Sequence, residues 1–201
     1  MTMKKFTTVW VLLLCVSTLC VAQTSSGNWA IGGSVQFSGS NNQNNGNEVK
    51  STTYTFAPSV GYFVIDQLMV GAFVDMSISR QEDDNNTYKQ STFGIGPFLR
   101  YYKFTQNEQF AFFGEFGFDY GSGKSEQNGD DPTKSRTFGM YLAPGFTWFP
   151  TSHWGIDFQV NLLSFSSYDP DKDDDDDKVN SFNFGLNTFS PSLGVRYYFG
   201  K

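Results

Sequence analysis

This chain lacks most of what a soluble enzyme is built from. It has one histidine, His153, and two cysteines, Cys15 and Cys20, both within its first 22 residues. No segment approaches the roughly 20 consecutive apolar residues that a membrane-spanning helix needs. The longest apolar run, Val9 to Val16, lies between Lys4-Lys5 and Cys20-Val21-Ala22. A basic head, a short apolar centre and small residues before a cut describe a secretory signal peptide over 1–22. The rival reading, lipid attachment at Cys15 or Cys20, meets a bulky Leu19 where a small residue is needed. Cleavage after Ala22 would remove both cysteines, so residues 23–201 could form no disulfide even in an oxidising compartment. Positive charge is also scarce: beyond Ala22 there are 12 Lys and Arg against 20 Asp and Glu, a net charge of −8. That balance argues against nucleic acid as a partner.

What the chain does have is alternation. Aromatics supply 18% of it although mean hydropathy is only −0.36, as expected when every second side chain of a strand meets lipid. Eight stretches alternate between apolar and polar residues: Asn28 to Ser40, Thr52 to Ile65, Leu68 to Arg80, Ser91 to Phe104, Phe110 to Tyr120, Thr137 to Phe149, Trp154 to Ser166 and Phe182 to Phe199. Long polar connections at Asn41–Ser51, Gln81–Gln90, Gly121–Arg136 and Ser167–Ser181 alternate with short ones at Asp66–Gln67, Thr105–Gln109 and Pro150–His153. An even strand count closes an antiparallel sheet without an edge, and membrane barrels put short turns in the periplasm and long loops outside. The fold expected for 23–201 is therefore all-β, one domain, an eight-stranded antiparallel up-and-down transmembrane β-barrel in the outer membrane of a Gram-negative cell.

Parity assigns the faces, because side chains alternate across a strand. Trp29, Ile31, Val35 and Phe37 oppose Ala30, Gly32, Ser34 and Gln36; Phe110, Phe112, Phe116, Phe118 and Tyr120 oppose Ala111, Glu115, Gly117 and Asp119. In the third strand Phe73 is an apolar exception on the polar face. A water-soluble ligand-binding barrel would reverse this arrangement, with bulky apolar groups inside. Small and charged residues pack only inside a narrow cylinder, so the aromatic face is the lipid face. Trp29, Trp148 and Trp154, with Tyr62, Tyr101 and Tyr197, mark an inner interfacial girdle. Tyr54, Phe93, Tyr120, Phe138 and Phe182 mark an outer one. Parity breaks in the last strand between Phe182-Phe184-Leu186 and Phe189-Leu193-Phe199, which predicts a bulge near Asn187 and Thr188. Pro58, Pro97, Pro144 and Pro191 fall within strands and predict further bulges.

The terminal segment Ser190-Pro-Ser-Leu-Gly-Val-Arg-Tyr-Tyr-Phe199 resembles the closing strand of OmpA/OmpX-like outer-membrane β-barrel proteins. The resemblance extends in pattern over 23–201. It implies that Tyr197 and Phe199 belong to the signal read by the outer-membrane assembly machinery. Gly200 and Lys201 after Phe199 depart from a strictly terminal aromatic. Fold and location follow from such a resemblance more firmly than activity does.

The same parity turns Asp75, Arg100, Glu115, Asp119, Asp157 and Arg196 into the lumen. Eight strands leave just enough room for their own side chains, so these charges must pair or be hydrated. The structural reading is a salt-bridged plug around Arg100 and Arg196. The functional reading is a gate for ions or small solutes, favouring cations because the acids outnumber the arginines. Barrel enzymes generally use a histidine with Ser, Asp or Glu near the outer face. His153 falls instead in a periplasmic turn beside Trp154, where an interfacial role is expected. The run Asp169-Pro-Asp-Lys-Asp-Asp-Asp-Asp-Asp177 fails as a calcium loop, with Asp174 where glycine is needed and Asn180 where the bidentate Glu belongs. A solvated loop is expected there, with weak divalent bridging to lipopolysaccharide as its alternative.

The expectation is a monomeric, non-catalytic barrel without cofactor or metal, structural or surface-interactive through its outer loops. Its partners would be outer-membrane lipids and lipopolysaccharide, the assembly machinery and an extracellular ligand. A narrow channel or solute carrier is the alternative, and a lipid-modifying enzyme a more distant one.

Overall fold

The computed structural model describes residues 21–44, 47–83, 86–128, 130–170, 178–185 and 192–200. The strands are β1 (Trp29–Asn44), β2 (Asn47–Ile65), β3 (Leu68–Glu82), β4 (Thr87–Phe104), β5 (Phe110–Gln127), β6 (Thr133–Trp148), β7 (Trp154–Gln159), β8 (Leu163–Asp169), β9 (Val179–Phe184) and β10 (Ser192–Phe199). Each of β1 to β6 pairs antiparallel with its sequence neighbour, β7 joins β6 to β10, and β10 returns to β1. The sheet thus closes as an eight-strand antiparallel barrel in which β7 with β8, and β9 with β10, occupy one stave each. Closure matters because hydrocarbon offers no partner to an unpaired N–H or C=O.

The break between β7 and β8 has a local cause at Pro144. Gly145 pairs with Gln159 but Leu142 pairs with Leu163, so the β7–β8 side carries one extra residue. Proline has no N–H to give the ladder, and the bulge forms opposite it. Across that bulge the outward positions change from Trp154 and Phe158 to Leu163 and Phe165. No bulge accompanies Pro58 or Pro97, contrary to expectation. The β2–β3 ladder skips Ala57 and Pro58, and the β4–β5 ladder skips Gly96 and Pro97, yet the register is the same on both sides of each gap. A strand residue directs its N–H toward one neighbour only, so each proline costs a bond on that side and keeps its pairing on the other: Pro58 with Gly33, Pro97 with Ala72. In the last stave Phe182 and Phe184 point outward on β9 and Leu193 and Val195 on β10, so parity does change between them. The bulge expected at Asn187 and Thr188, and Pro191, lie outside the described residues.

The connections expected to be long loops are mostly strand. The β1–β2 ladder runs on to Asn44 opposite Asn47, β3–β4 to Glu82 opposite Thr87, and β5–β6 to Ser125 opposite Thr133. Polar residues on both faces hide these extensions from a hydropathy pattern, since beyond the bilayer both faces are wet. At the other end, short connections and both ends of the barrel chain lie together, with Trp29 opposite Phe199. The Asp66–Gln67 turn places Gln67 at a φ of 67°.

Trp29 packs on Tyr62 and Trp154 on Tyr197, each with ring centroids 5.0 Å apart, at the short-turn end. Lipid-facing side chains form the exposed set, and the buried set lies inside the cylinder. Lumen glycines make room for it: a Cβ at Gly71 would run into the Val60 carbonyl oxygen and the Phe98 ring. Gly71→Val should therefore overpack the barrel and cost about 1–3 kcal/mol. Urea titration in lipid vesicles, followed by the mobility difference between folded and unfolded barrel on unheated gels, measures it.

Candidate functional site

Strand parity and register together assemble the inner cluster. Odd residues of β4 face lipid, which turns Arg100 and Tyr102 inward. Odd residues of β5 and β7 face inward, presenting Glu115 and Asp157, and even residues of β10 present Arg196 and Tyr198. The register sets Arg100 opposite Glu115, and Arg196 opposite Gly155, the residue two before Asp157. Arg100 then crosses the lumen, its Nε 2.6 Å from Glu115 Oε2 and its Nη1 2.5 Å from Asp157 Oδ2. Its guanidinium lies 4.0 Å from the Phe113 ring centroid and also donates to Tyr102 and to Gln159 Oε1, at 3.3 Å each. Arg196 Nε is 3.3 Å from Asp157 Oδ2, and its Nη1 donates to Ser59 Oγ.

Every carboxylate oxygen in this cluster is engaged. Asp157 Oδ1 accepts the Thr147 hydroxyl at 2.7 Å, while Glu115 Oε1 accepts Tyr141 OH at 2.9 Å and Gln159 Nε2 at 3.4 Å. Two buried guanidiniums thus face two buried carboxylates, with neutral partners on the remaining lone pairs. Such a set offsets its own desolvation only while complete; removing one member strands charge in a dry interior. A saturated, charge-balanced cluster is well made as a plug and poorly made as a general base.

Toward the short-turn end the lumen is filled by Phe63, Met69, Tyr102, Phe113, Phe149 and Tyr198. Tyr102 and Tyr198 meet hydroxyl to hydroxyl at 3.1 Å. The turn Val21–Thr24 closes that mouth: Thr24 O accepts from Gln67 N, and Gln23 Nε2 donates to Thr151 O at 3.0 Å. On the other side of the plug opens a cavity of about 320 Å³, walled by Gln36, Asp75, Tyr141, Asn161 and Ser192 and floored by the ion cluster.

Of the six lumen charges expected from parity, four are brought together. Asp75 and Asp119 stand apart, half-buried, with no ion pair among the described residues. The Asp119 carboxylate fills the space beside Gly139. Tyr197 and Phe199 face outward and stack at 6.1 Å. His153 stacks on Tyr197 at 5.8 Å, its Nδ1 2.9 Å from Ser152 Oγ, in the short turn before β7. Among the described residues no group of three or more His, Cys, Asp or Glu could hold a metal. Most of the acidic run, residues 171–177, lies outside the described residues; Asp169 at its start is buried against the barrel.

Sequence reasoning missed Tyr102, Tyr141, Thr147, Tyr198 and Gln159 as partners of the charges. Parity held the signal for two of them. In the pairs Tyr101-Tyr102 and Tyr197-Tyr198 one member must face lipid and the other the lumen.

This geometry defines a lipid-embedded antiparallel barrel with a blocked inner end. A sequence profile described as "Outer membrane protein beta-barrel domain" matches residues 10–188, and the chain belongs to that family. No curated protein sequence matches it. Among solved structures it is similar to Neisserial surface protein A, with 14% identity, a TM-score of 0.50, and 87% of this chain and 98% of that one covered. It is also similar to OprG from Pseudomonas aeruginosa, at 14% identity and a TM-score of 0.48 over 89% of this chain and 99% of that one. The attachment invasion locus protein Ail of Yersinia pestis gives 18% identity and a TM-score of 0.43 over 87% and 99%. At these identities the likeness is one of fold.

Asp157→Ala leaves Arg100 and Arg196 buried beside a deficit of negative charge and should cost about 3–5 kcal/mol. Asp119→Asn, outside the cluster, should stay within about 0.5 kcal/mol of the parent. Guanidinium unfolding of the two variants side by side in vesicles separates them.

Proposed function

We propose that this protein works at the cell surface as a monomeric, non-catalytic barrel, through the hairpins that continue its strands beyond the outer girdle. The observation that carries this reading is the contrast between a sealed lumen and a built rim. The lumen is closed by the Arg100–Glu115–Asp157–Arg196 cluster and the aromatic floor beneath it. Among the described residues the rim is hydrogen-bonded: Asp83 Oδ1 in the β3–β4 hairpin accepts from Asn86 N at 2.7 Å. Neighbouring hairpins are cross-linked by Asn128 Oδ1 accepting from Thr87 N at 2.8 Å, Asn128 Nδ2 donating to Asn86 Oδ1 at 2.8 Å, and Gln127 Nε2 donating to Tyr88 OH at 3.0 Å. A surface ordered in advance loses less conformational entropy when it binds, so it suits recognition of an extracellular ligand. The outward Leu193, Val195, Tyr197 and Phe199 of β10 are the side chains that the assembly machinery would read.

The refolded barrel should be electrically silent in a planar bilayer, and Arg100→Ala should not introduce discrete cation-selective steps, because the aromatic floor stays in place. Such steps in the parent protein would move the function into the lumen. Replacing residues 126–132 by a short turn should leave the gel mobility of the folded barrel intact while abolishing attachment by cells that display it. Undiminished attachment would dissociate that function from the β5–β6 hairpin.

A further inference from the structure

The outward face just above the outer girdle carries a band of cations that the overall negative charge conceals. On β4, Phe93 and Ile95 mark the lipid face by parity, and so do Ser91 and Lys89 beyond them. On β5, Tyr120 is followed on the same face by Ser122 and Lys124, and on β6, Phe138 is preceded by Arg136 and Lys134. Register brings these side chains side by side: Ser122 opposite Arg136, Ser91 opposite Lys124, and Lys124 opposite Lys134. Phe93, Tyr120, Lys124, Lys134 and Arg136 line one groove of about 450 Å³, with Ser91 and Ser122 completing its outward wall.

One feature of this band lacks an explanation inside the chain. Lys124 directly opposes Lys134, and one strand pair away Arg80 directly opposes Lys89. Like charges directly across a ladder destabilise it. Arg80 is relieved by Glu82 at 2.5 Å, and Lys89 faces Glu126 and Arg136 faces Asp169 across their ladders; Lys124 and Lys134, like Arg136, form no ion pair among the described residues. The depth is also specific. At about 3.3 Å per residue along a strand tilted roughly 40°, Arg136 stands about 5 Å, and Lys124 and Lys134 about 10 Å, beyond the aromatics that end the apolar belt. That is headgroup depth, on the face turned to lipid.

We propose that Lys124, Lys134 and Arg136 form a site for the phosphorylated glycolipid headgroup of the outer leaflet. The phosphates bridge the opposed cations, the Ser91 and Ser122 hydroxyls donate to the remaining phosphate and sugar oxygens, and the acyl chains run down over Phe93 and Tyr120. An anion between Lys124 and Lys134 turns a repulsion into two attractions, while the apolar floor selects a lipid over a free anion. The site is separate from the lumen and from the hairpin tips, so it stands whether or not the surface reading holds.

The test uses the refolded full-length mature barrel in detergent, titrated with bis-phosphorylated lipid A and followed by native mass spectrometry. The controls are fully dephosphorylated lipid A, inorganic phosphate and the polysaccharide heparin. Gel mobility confirms that each variant is folded. The parent should retain lipid A, and the triple variant K124Q/K134Q/R136Q should bind it about a hundredfold more weakly, at roughly a fivefold loss per surface cation. Dephosphorylated lipid A should bind as weakly to the parent as lipid A does to the variant, and millimolar phosphate should not displace lipid A. Equal retention by parent and triple variant, or equal retention of dephosphorylated lipid A, overturns the proposal. Displacement by phosphate reduces the site to an anion site without lipid selectivity. Tighter binding of heparin than of lipid A assigns the band to an extracellular polyanion instead.

Discussion

A backbone amide in hydrocarbon has only other amides to bond to, and the rest of this molecule follows from that requirement. It forces the sheet to close from β1 to β10. Closing it with eight staves fixes a lumen just wide enough for side chains. Small residues at the inward positions then become necessary, as the contact waiting at Gly71 illustrates. The prolines show how far the requirement bends: Pro58 and Pro97 leave the register untouched, whereas Pro144 is matched by a bulge that changes which residues of β7 and β8 meet lipid.

The narrow lumen decides how charge can be carried inside. Arg100 could not sit there alone, and it is met from β5 by Glu115 and from β7 by Asp157, with Arg196 completing the balance. The resulting link spans the cylinder and joins strands far apart in the chain. It does in the middle of the barrel what the aromatic packing of Phe63, Tyr102, Phe113 and Tyr198 does at the inner end. A water-filled path would have to break both. Outward of the cluster the walls separate enough for a cavity, which Asp75 lines.

Period-two alternation made the barrel, its strand count and the lipid face legible, because burial in lipid acts on every second residue over the whole span. The same pattern placed Arg100, Glu115, Asp157 and Arg196 inside. It could not say which charges would meet, since Arg100 and Asp157 lie 57 residues apart and converge only through register. Nor could it find the hairpin extensions: outside the bilayer both faces of a strand are wet, so Asn41 to Ser51 reads as loop while the backbone of residues 41–44 and 47–51 continues the ladder. Phe63, Met69 and Phe113 escaped for the opposite reason. They are apolar on the side expected to be polar, because the inner end of the lumen is sealed rather than hydrated.

Net charge is a poor guide to such a surface. The balance of −8 over residues 23–201 pools side chains of different environments: acids in the outer connections, a neutral cluster in the lumen, and cations at one depth on the lipid face. A partner approaching from solvent meets the first, whereas a lipid in the outer leaflet meets the third, where Glu126 and Asp169 are the acids across the ladder from Lys89 and Arg136. The chain can therefore repel polyanions in solution and still attract them in the membrane plane. Separation of this kind depends on the strands continuing above the bilayer, since only an ordered ladder holds Lys124 and Lys134 on the outward side at a fixed height.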